Sequence, residues 1–360
     1  MAAQDIVIAH AGLITPVGLT LRETAASARA RVARLREIAW RDRRFEPFIT
    51  GSVPDEGLPE LTPKLAALPL QQREDRMLRL AHAALEEAMT PLQGKTGPVP
   101  LLLGLPEQHS QVPIEAVAFL ERLDLQAPGL LDIPGSRAAA RGRAAGLMAL
   151  REAGIRLARG DSPFVLVGGV DSLVDLYVLG TLDLQGRIRN EINSDGFSPS
   201  EGAAFLLLSL ASTAEAHGLQ PLAQLLGSAH GHEPGHLYAD EPYLGEGLAA
   251  TLAALLQETP LPQPIGSVYC SFNGERHWAR EFGVARLRQS QAFASDHAME
   301  HPAECFGDLG SAHGPALAAL AAHGVHHGYR RGPCLVLASS DHGERAAALL
   351  QGRAAASLQP

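Results

Sequence analysis

Three thiols and fifteen imidazoles are the groups in this 360-residue chain best suited to nucleophilic or metal chemistry. The thiols are Cys270, Cys305 and Cys334. They form neither a CxxC pair nor a disulfide framework, which fits a reducing, cytoplasmic setting. The histidines are scattered. The close pairs His230/His232 and His326/His327 lack a HExxH frame, so neither a metal nor a cofactor is expected. A charged group stands apart from these. Arg143 falls in the first turn of an Ala/Leu-rich helix expected to start near Arg141 or Gly142 and run to about Arg159. The helix dipole disfavours a cation there. Arg143 therefore needs an acidic partner or a bound phosphate or carboxylate, unless it is simply a solvated residue. A guanidinium stays protonated and cannot act as a nucleophile.

The elements that would position these groups alternate between helix and strand. Gly160-Asp161-Ser162-Pro163 stops the Arg143 helix. Phe164–Val167 reads as a buried strand, and Gly168-Gly169-Val170-Asp171-Ser172 as a tight exit from it, with Gly168 and Gly169 structural and letting the sheet and a subunit interface approach closely. Before them come a strand at Asp5–Ala9, a turn-rich stretch at Gly12–Gly18 and a helix capped by Thr20. Residues 41–75 read as irregular, followed by an amphipathic helix at Gln71–Met89, a strand at Val99–Leu105 and a helix at Pro113–Leu123. A long connection from Gly180 leads to a strand at Phe205–Leu210 and a helix at Ser212–His217. The plan then restarts. Strands are expected at Leu222–Gly227, Ser267–Ser271 and Cys334–Ala338. Helices are expected at Gly245–Gln257, His277–Phe282, Ser311–His323 and Gly343–Gln351. Asn273-Gly274-Glu275 reads as a turn. The expectation is an α/β fold with mostly parallel sheets covered by helices, in two halves, 1–218 and 219–360.

Bulk properties exclude several classes. The chain is 46% hydrophobic and 19% charged, ordinary for a globular protein with a large core. A formal net charge of −9 and only 5% aromatic residues argue against nucleic-acid binding. The Arg41, Arg43, Arg44 cluster reads as a solvated face. No apolar run reaches the roughly 18–20 residues of a bilayer span. The first residues lack the charged n-region of a signal peptide.

Four segments in order resemble the thiolase-like superfamily, specifically its β-ketoacyl synthase branch. IVIAHAGLITPVG is similar to the family's first strand and turn, and LVGGVDSL to the strand after its nucleophile helix. Gly186-Arg187 followed by GFSPSEGAAFLLL resembles "GF.PGEGAA". ECFGDLGSAHGPALAALAA resembles the "GH..GAAG" helix start. The resemblance implies a five-layered α-β-α-β-α architecture with internal pseudo-duplication. It also implies a homodimer or a heterodimer with a related synthase, with an acyl carrier protein as a further partner.

It implies chemistry too: a cysteine at a helix N-terminus attacks an acyl thioester, and two histidines support malonyl decarboxylation and the oxyanion. Carried over by position, the cysteine falls on Arg143, or on Gly142 or Ala144 with one residue of slip. Ser136 would need a shifted helix start. The first histidine falls near Cys270, counted back from Glu281 at the family's acidic position. The second falls on Asp308 and the upstream lysine near Ala303. The "GFGG.N" loop is replaced by Ser340-Asp341-His342-Gly343-Glu344-Arg345. Arg143 and Asp308 would then share the old site and could pair. A relocated nucleophile, Cys270 or Cys305 with His277 or His313, competes with the reading of both thiols as small buried hydrophobes. The expected function is a non-condensing partner, scaffold or ligand-binding subunit. The alternative is an acyltransferase or decarboxylase acting on acyl or malonyl thioesters with a non-standard residue set.

Overall fold

The computed structural model describes residues 5–353. The first half contains β1 (Ile6–Ile14), α1 (Leu21–Arg29), β2 (Arg36–Arg41), β3 (Pro47–Thr50), α2 (Pro63–Ala66), α3 (Gln72–Met89), β4 (Leu101–Leu105), α4 (Ala116–Gln126), β5 (Arg137–Ala140), α5 (Ala145–Arg159), β6 (Phe164–Ser172), α6 (Leu176–Leu184), β7 (Glu201–Leu210) and α7 (Ala211–Ala216). The second contains β8 (Ala223–His232), α8 (Glu246–Glu258), β9 (Ile265–Cys270), α9 (Arg276–Arg288), β10 (Phe293–Glu300), α10 (Ala303–Phe306), α11 (His313–His326), β11 (Cys334–Ser339) and β12 (Glu344–Gln351).

Ten of the strands join in the order β10-β9-β11-β12-β8-β1-β7-β6-β4-β5. Numbered within each set of five, both sets run 3-2-4-5-1 outward in, and they meet where β1 pairs with β8. The same topology therefore occurs twice. Three apolar clusters account for five layers. One packs α3 and α4 on the outer face of the first sheet. One fills the space between the sheets with α5 and α11. One packs α8 and α9 outside the second sheet. Helix α11 is Ala-rich and buried along almost its whole length, as a helix sandwiched between two sheets must be.

Several sequence expectations need correction. The sheet is mixed: β1, β6 and β7 pair antiparallel, as do β8, β11 and β12. The parallel pairs are confined to β4–β5, β4–β6, β9–β10 and β9–β11. The segment expected as the helix Gly343–Gln351 is instead strand β12, Glu344–Gln351, buried on both faces between β11 and β8. Its alanines favour helix locally, and tertiary pairing overrides that weak preference. The turn-rich stretch after Ala9 continues β1 to Ile14. Residues 41–75 contain β3, which pairs with β2, and α2; the connection expected from Gly180 begins inside α6, which runs to Leu184; and β10 carries too little alternation to be seen. Gly168-Gly169 is not an exit. Both lie inside β6, where a Cβ on Gly168 would sit 2.2 Å from the Phe205 ring and one on Gly169 2.2 Å from the Ser311 carbonyl. The glycines let the sheet touch the turn that leads into α11.

Candidate functional site

Helices α5 and α11 lie side by side in the central layer, each preceded by one 3-10 turn: Gly142–Ala144 before α5 and Gly310–Ala312 before α11. Ser340 ties down the first turn, its Oγ accepting from the Ala144 N–H at 2.9 Å and donating to the Arg141 carbonyl at 2.6 Å. This fixes Arg143 pointing inward, buried to 6% exposure.

The pairing inferred from the sequence is made. Arg143 donates through Nε (2.8 Å) and Nη2 (2.6 Å) to Asp308 Oδ2. Its Nη1 reaches Asp341 Oδ1 at 2.5 Å. Asp341 in turn accepts from Arg187 Nη1 at 2.6 Å, and Arg187 forms a two-pronged pair with Glu275 at 2.8 Å on each prong. Asn273 Nδ2 closes the ring, donating to Glu275 at 3.1 Å and to Asp308 at 2.8 Å. Trp278 Nε1 adds a bond to Glu275 at 3.0 Å. The guanidiniums of Arg143 and Arg187 flank the Phe197 ring at 5.8 and 5.3 Å. Both cations come from the first half of the chain, and all three carboxylates from the second. Geometry of this quality is what a buried ionic cluster needs to offset desolvation.

The electrostatics follow. Burial pushes the Asp308 carboxyl up, but Arg143 and His313 more than reverse this and hold it well below the usual carboxylate range. Burial opposes ionisation of Asp341 as well, and Arg143 and Arg187 again bring its pKa down. Both guanidiniums bind their protons more tightly than usual, because these carboxylates outweigh the cost of burial. Asp308, Asp341 and both guanidiniums are therefore ionised at neutral pH, and carboxylates held this acidic are weak bases and poor nucleophiles.

A cavity of about 410 Å³ opens beside the ring, lined by Arg143, Arg187, Asp341 and the rings of Phe197 and Tyr238. A second buried pair, Arg73 with Asp171 at 2.9 Å, also lines it. Asp171 also accepts from the Ser311 N–H at 3.0 Å, and Gly310, at φ 54°, has no room for a Cβ against it. His342, bonded to Glu107 at 2.8 Å, stands at the exposed side; that bond raises its pKa.

The thiols lie elsewhere. None of the three lines this cavity. Cys270 donates to the Glu300 carbonyl at 3.6 Å inside the outer apolar cluster, and burial pushes its thiol up to about 12. Cys305 is buried in the central cluster, pushed up to about 11, and Cys334 is buried and pushed up to about 12. Such thiols are almost wholly protonated at pH 7. Cys270 does not reach the ring; from the loop after β9 it is Asn273, three residues later, that bonds Asp308 and Glu275. His313 Nδ1 lies 3.3 Å from the Leu309 N–H and 3.5 Å from Asp308 Oδ1, so the ring is held by the turn it starts. Its Nε2 has no hydrogen-bond partner among the described residues. His277 stacks on Tyr243 with ring centroids 4.0 Å apart. Glu281 is spent on Arg345 at 2.5 Å and Ser339 at 2.6 Å. Ser136 bridges Leu101 and Asp132 and is structural. Arg187, Glu275 and Asp341 were not assigned a site role from the sequence. The only signal was their place in the segments that resemble family motifs. Among the described residues, no cluster of His, Cys, Asp and Glu is arranged to hold a metal ion, and no helix is long and apolar enough to cross a membrane.

No family model and no curated protein matches the sequence. Solved structures do. The oxazolomycin ketosynthase domain of Streptomyces albus JA3453 is 17% identical over 99% of this chain and 77% of its own, with a TM-score of 0.77. The ishigamide ketosynthase/chain length factor is 17% identical over 98% of this chain and 100% of its own, with a TM-score of 0.78. A type II polyketide synthase acyl-carrier protein in complex with its ketosynthase, bound to the hexaketide, gives 16% identity over 98% of this chain and 100% of its own, with a TM-score of 0.74. The chain therefore has the thiolase-like fold of the ketosynthases. At these identities the likeness defines the fold.

Proposed function

We propose that this chain is a non-condensing ketosynthase-fold subunit, acting as a partner, scaffold or ligand-binding protein. One observation carries the reading. At the helix start where the family chemistry requires a thiolate, Arg143 is buried and held by two carboxylates. Asp308 accepts from Arg143 and also from Asn273, so the groups gathered at this point are an arginine, an aspartate and an asparagine, with no thiol among them. The solved ketosynthase/chain length factor and the acyl-carrier protein complex support a related synthase and a carrier protein as partners. The repeated strand order supports dividing the chain at residue 218 into two thiolase-like halves.

The test is incubation of the protein with acyl- and malonyl-thioesters of coenzyme A and of a carrier protein, followed by intact mass spectrometry. Loading would form a protein thioester and release the carrier thiol. The expected result is an unmodified mass and no carbon dioxide from the malonyl thioester. A thioester adduct that disappears in Cys270→Ala or Cys305→Ala would overturn the reading in favour of a relocated nucleophile. Decarboxylation without loading would favour a malonyl-specific enzyme.

A further inference from the structure

A second cavity lies away from the ionic ring, between α1, the end of α11, β1 and the start of β8. It has a volume of about 570 Å³ and is lined by His10, Arg22, Arg29, His323, His327 and Tyr329, with Glu87 at its base. Arg22 and Arg29 are seven residues apart on α1, so their side chains lie on one face two turns apart. Both side chains are exposed, and neither has a carboxylate within 4.0 Å among the described residues, although most other arginines of the chain are ion-paired. Arg29 is held over the Tyr329 ring at 4.2 Å. The Tyr329 hydroxyl is fixed by His323 Nδ1 at 2.9 Å, and the His327 ring sits 4.2 Å from that of His323. His10 Nδ1 is buried at the pocket wall without a hydrogen-bond partner.

Glu87 is the one acidic residue lining this pocket, and it is already occupied. Its carboxylate accepts from the Leu13 N–H at 2.8 Å and the Leu21 N–H at 2.9 Å. Burial also raises its pKa to about 7, which weakens its negative charge further. The surroundings report a positive potential. His323 is depressed to about 4 by burial first, then by His327, His326, Arg29 and Arg22. In a protein with a formal net charge of −9, two arginines without an acidic partner facing one cavity are an unusual concentration of one sign.

We infer that this pocket binds a small phosphorylated anion, with Arg22 and Arg29 gripping the phosphoryl oxygens and the histidine and tyrosine face donating beneath them. Two arginines on one helix face suit multidentate recognition of phosphate oxygens. The volume exceeds that of a lone phosphate, so a diphosphate or a phosphate carried on a small organic group fits the space better.

The test uses the full chain, titrated with inorganic phosphate and with pyrophosphate by isothermal calorimetry, against sodium chloride at matched ionic strength. Saturable binding is expected, with pyrophosphate tighter than phosphate. The double variant Arg22→Gln/Arg29→Gln should weaken it by about tenfold or more, the loss of two charge-assisted bonds. Arg36→Gln, an exposed arginine on β2, should leave it unchanged. Both arginine side chains are exposed, so the double variant should fold, and an unchanged melting temperature without ligand checks this. Should it not fold, phosphorus-31 line broadening of pyrophosphate by Arg29→Lys, which keeps the charge, replaces it and should persist. Absence of saturable binding by either anion up to about 10 mM, beyond even millimolar affinity, would overturn the inference. So would binding undiminished in the double variant.

Discussion

Arg143 occupies the place in this fold where the resemblance calls for a reactive thiol, and its environment explains why it can sit there. An arginine at a helix start is repelled by the helix dipole. Here Asp308 and Asp341 supply the compensating charge, and Ser340 takes over the capping of the helix. Removing the cation would leave the fully buried Asp308 without a guanidinium partner and Asp341 with Arg187 alone. Arg143→Ala is therefore expected to cost about 3–5 kcal/mol, measured by urea denaturation, since breaking a buried pair leaves an uncompensated charge. Arg143→Lys should recover only part of this, because an ammonium cannot bridge both acids with a planar fork. The pair Arg143–Asp308 was legible in the sequence because the family motifs fixed both positions. Asn273 was read only as part of a turn, and its side-chain bonds to Asp308 and Glu275 follow from the fold. Arg187 and Asp341 were hidden: a charged residue in a loop reads as solvated until the fold brings an opposite charge to it.

The central elements depend on close approach. Gly169 in β6 faces the backbone of the Gly310–Ala312 turn, and an added methyl would fall 2.2 Å from the Ser311 carbonyl. No flexible side chain can yield there. Gly169→Ala is expected to destabilise by at least about 1–3 kcal/mol, the range for overpacking, and to lower the melting temperature in calorimetry. Ser340→Ala removes the acceptor for the Ala144 N–H and should cost about 1 kcal/mol, as loss of a helix cap does. Helix α5 and strand β6 were legible from composition, since an Ala/Leu run closed by Gly160 and an apolar run of four leave few alternatives. The double glycine was legible as a close approach, but its neighbours, Phe205 and the Ser311 carbonyl, were not, because only the fold brings them to it. Strand β12 failed for a related reason: alanine-rich segments favour helix alone and take their conformation here from two flanking strands.

For the whole molecule, the ionic ring sets the response to acid. Asp308 and Asp341 have folded-state pKa values below their unfolded ones. The unfolded chain therefore takes up protons first as pH falls, and stability contributed by these groups is present above the unfolded value near 4 and lost as pH drops through and below it. The melting temperature should hold from about pH 7 to about pH 5 with respect to these groups and fall steeply below that. Asp341→Asn should flatten the acid limb; an unchanged slope would show that other carboxylates dominate. The α/β class and the repeated plan were legible because the order of elements restarts midway along the chain. The mixed sheet was not, since a fully buried antiparallel strand and a parallel one carry the same continuous apolar pattern.

The sorting of charge in that ring has a consequence for how the polypeptide could be cut. Arg143 and Arg187 lie before residue 218, and Glu275, Asp308 and Asp341 after it. Neither piece alone can neutralise its own share, so each separately would hold bare charge on an apolar face. Produced as two polypeptides, 1–218 and 219–360, the pieces should be insoluble singly and recover a soluble complex when co-expressed. That complex should be lost when Arg143 and Arg187 are both changed to glutamate. On this view the ring works as an internal recognition code, matching one half of the chain to the other as two separate proteins recognise one another.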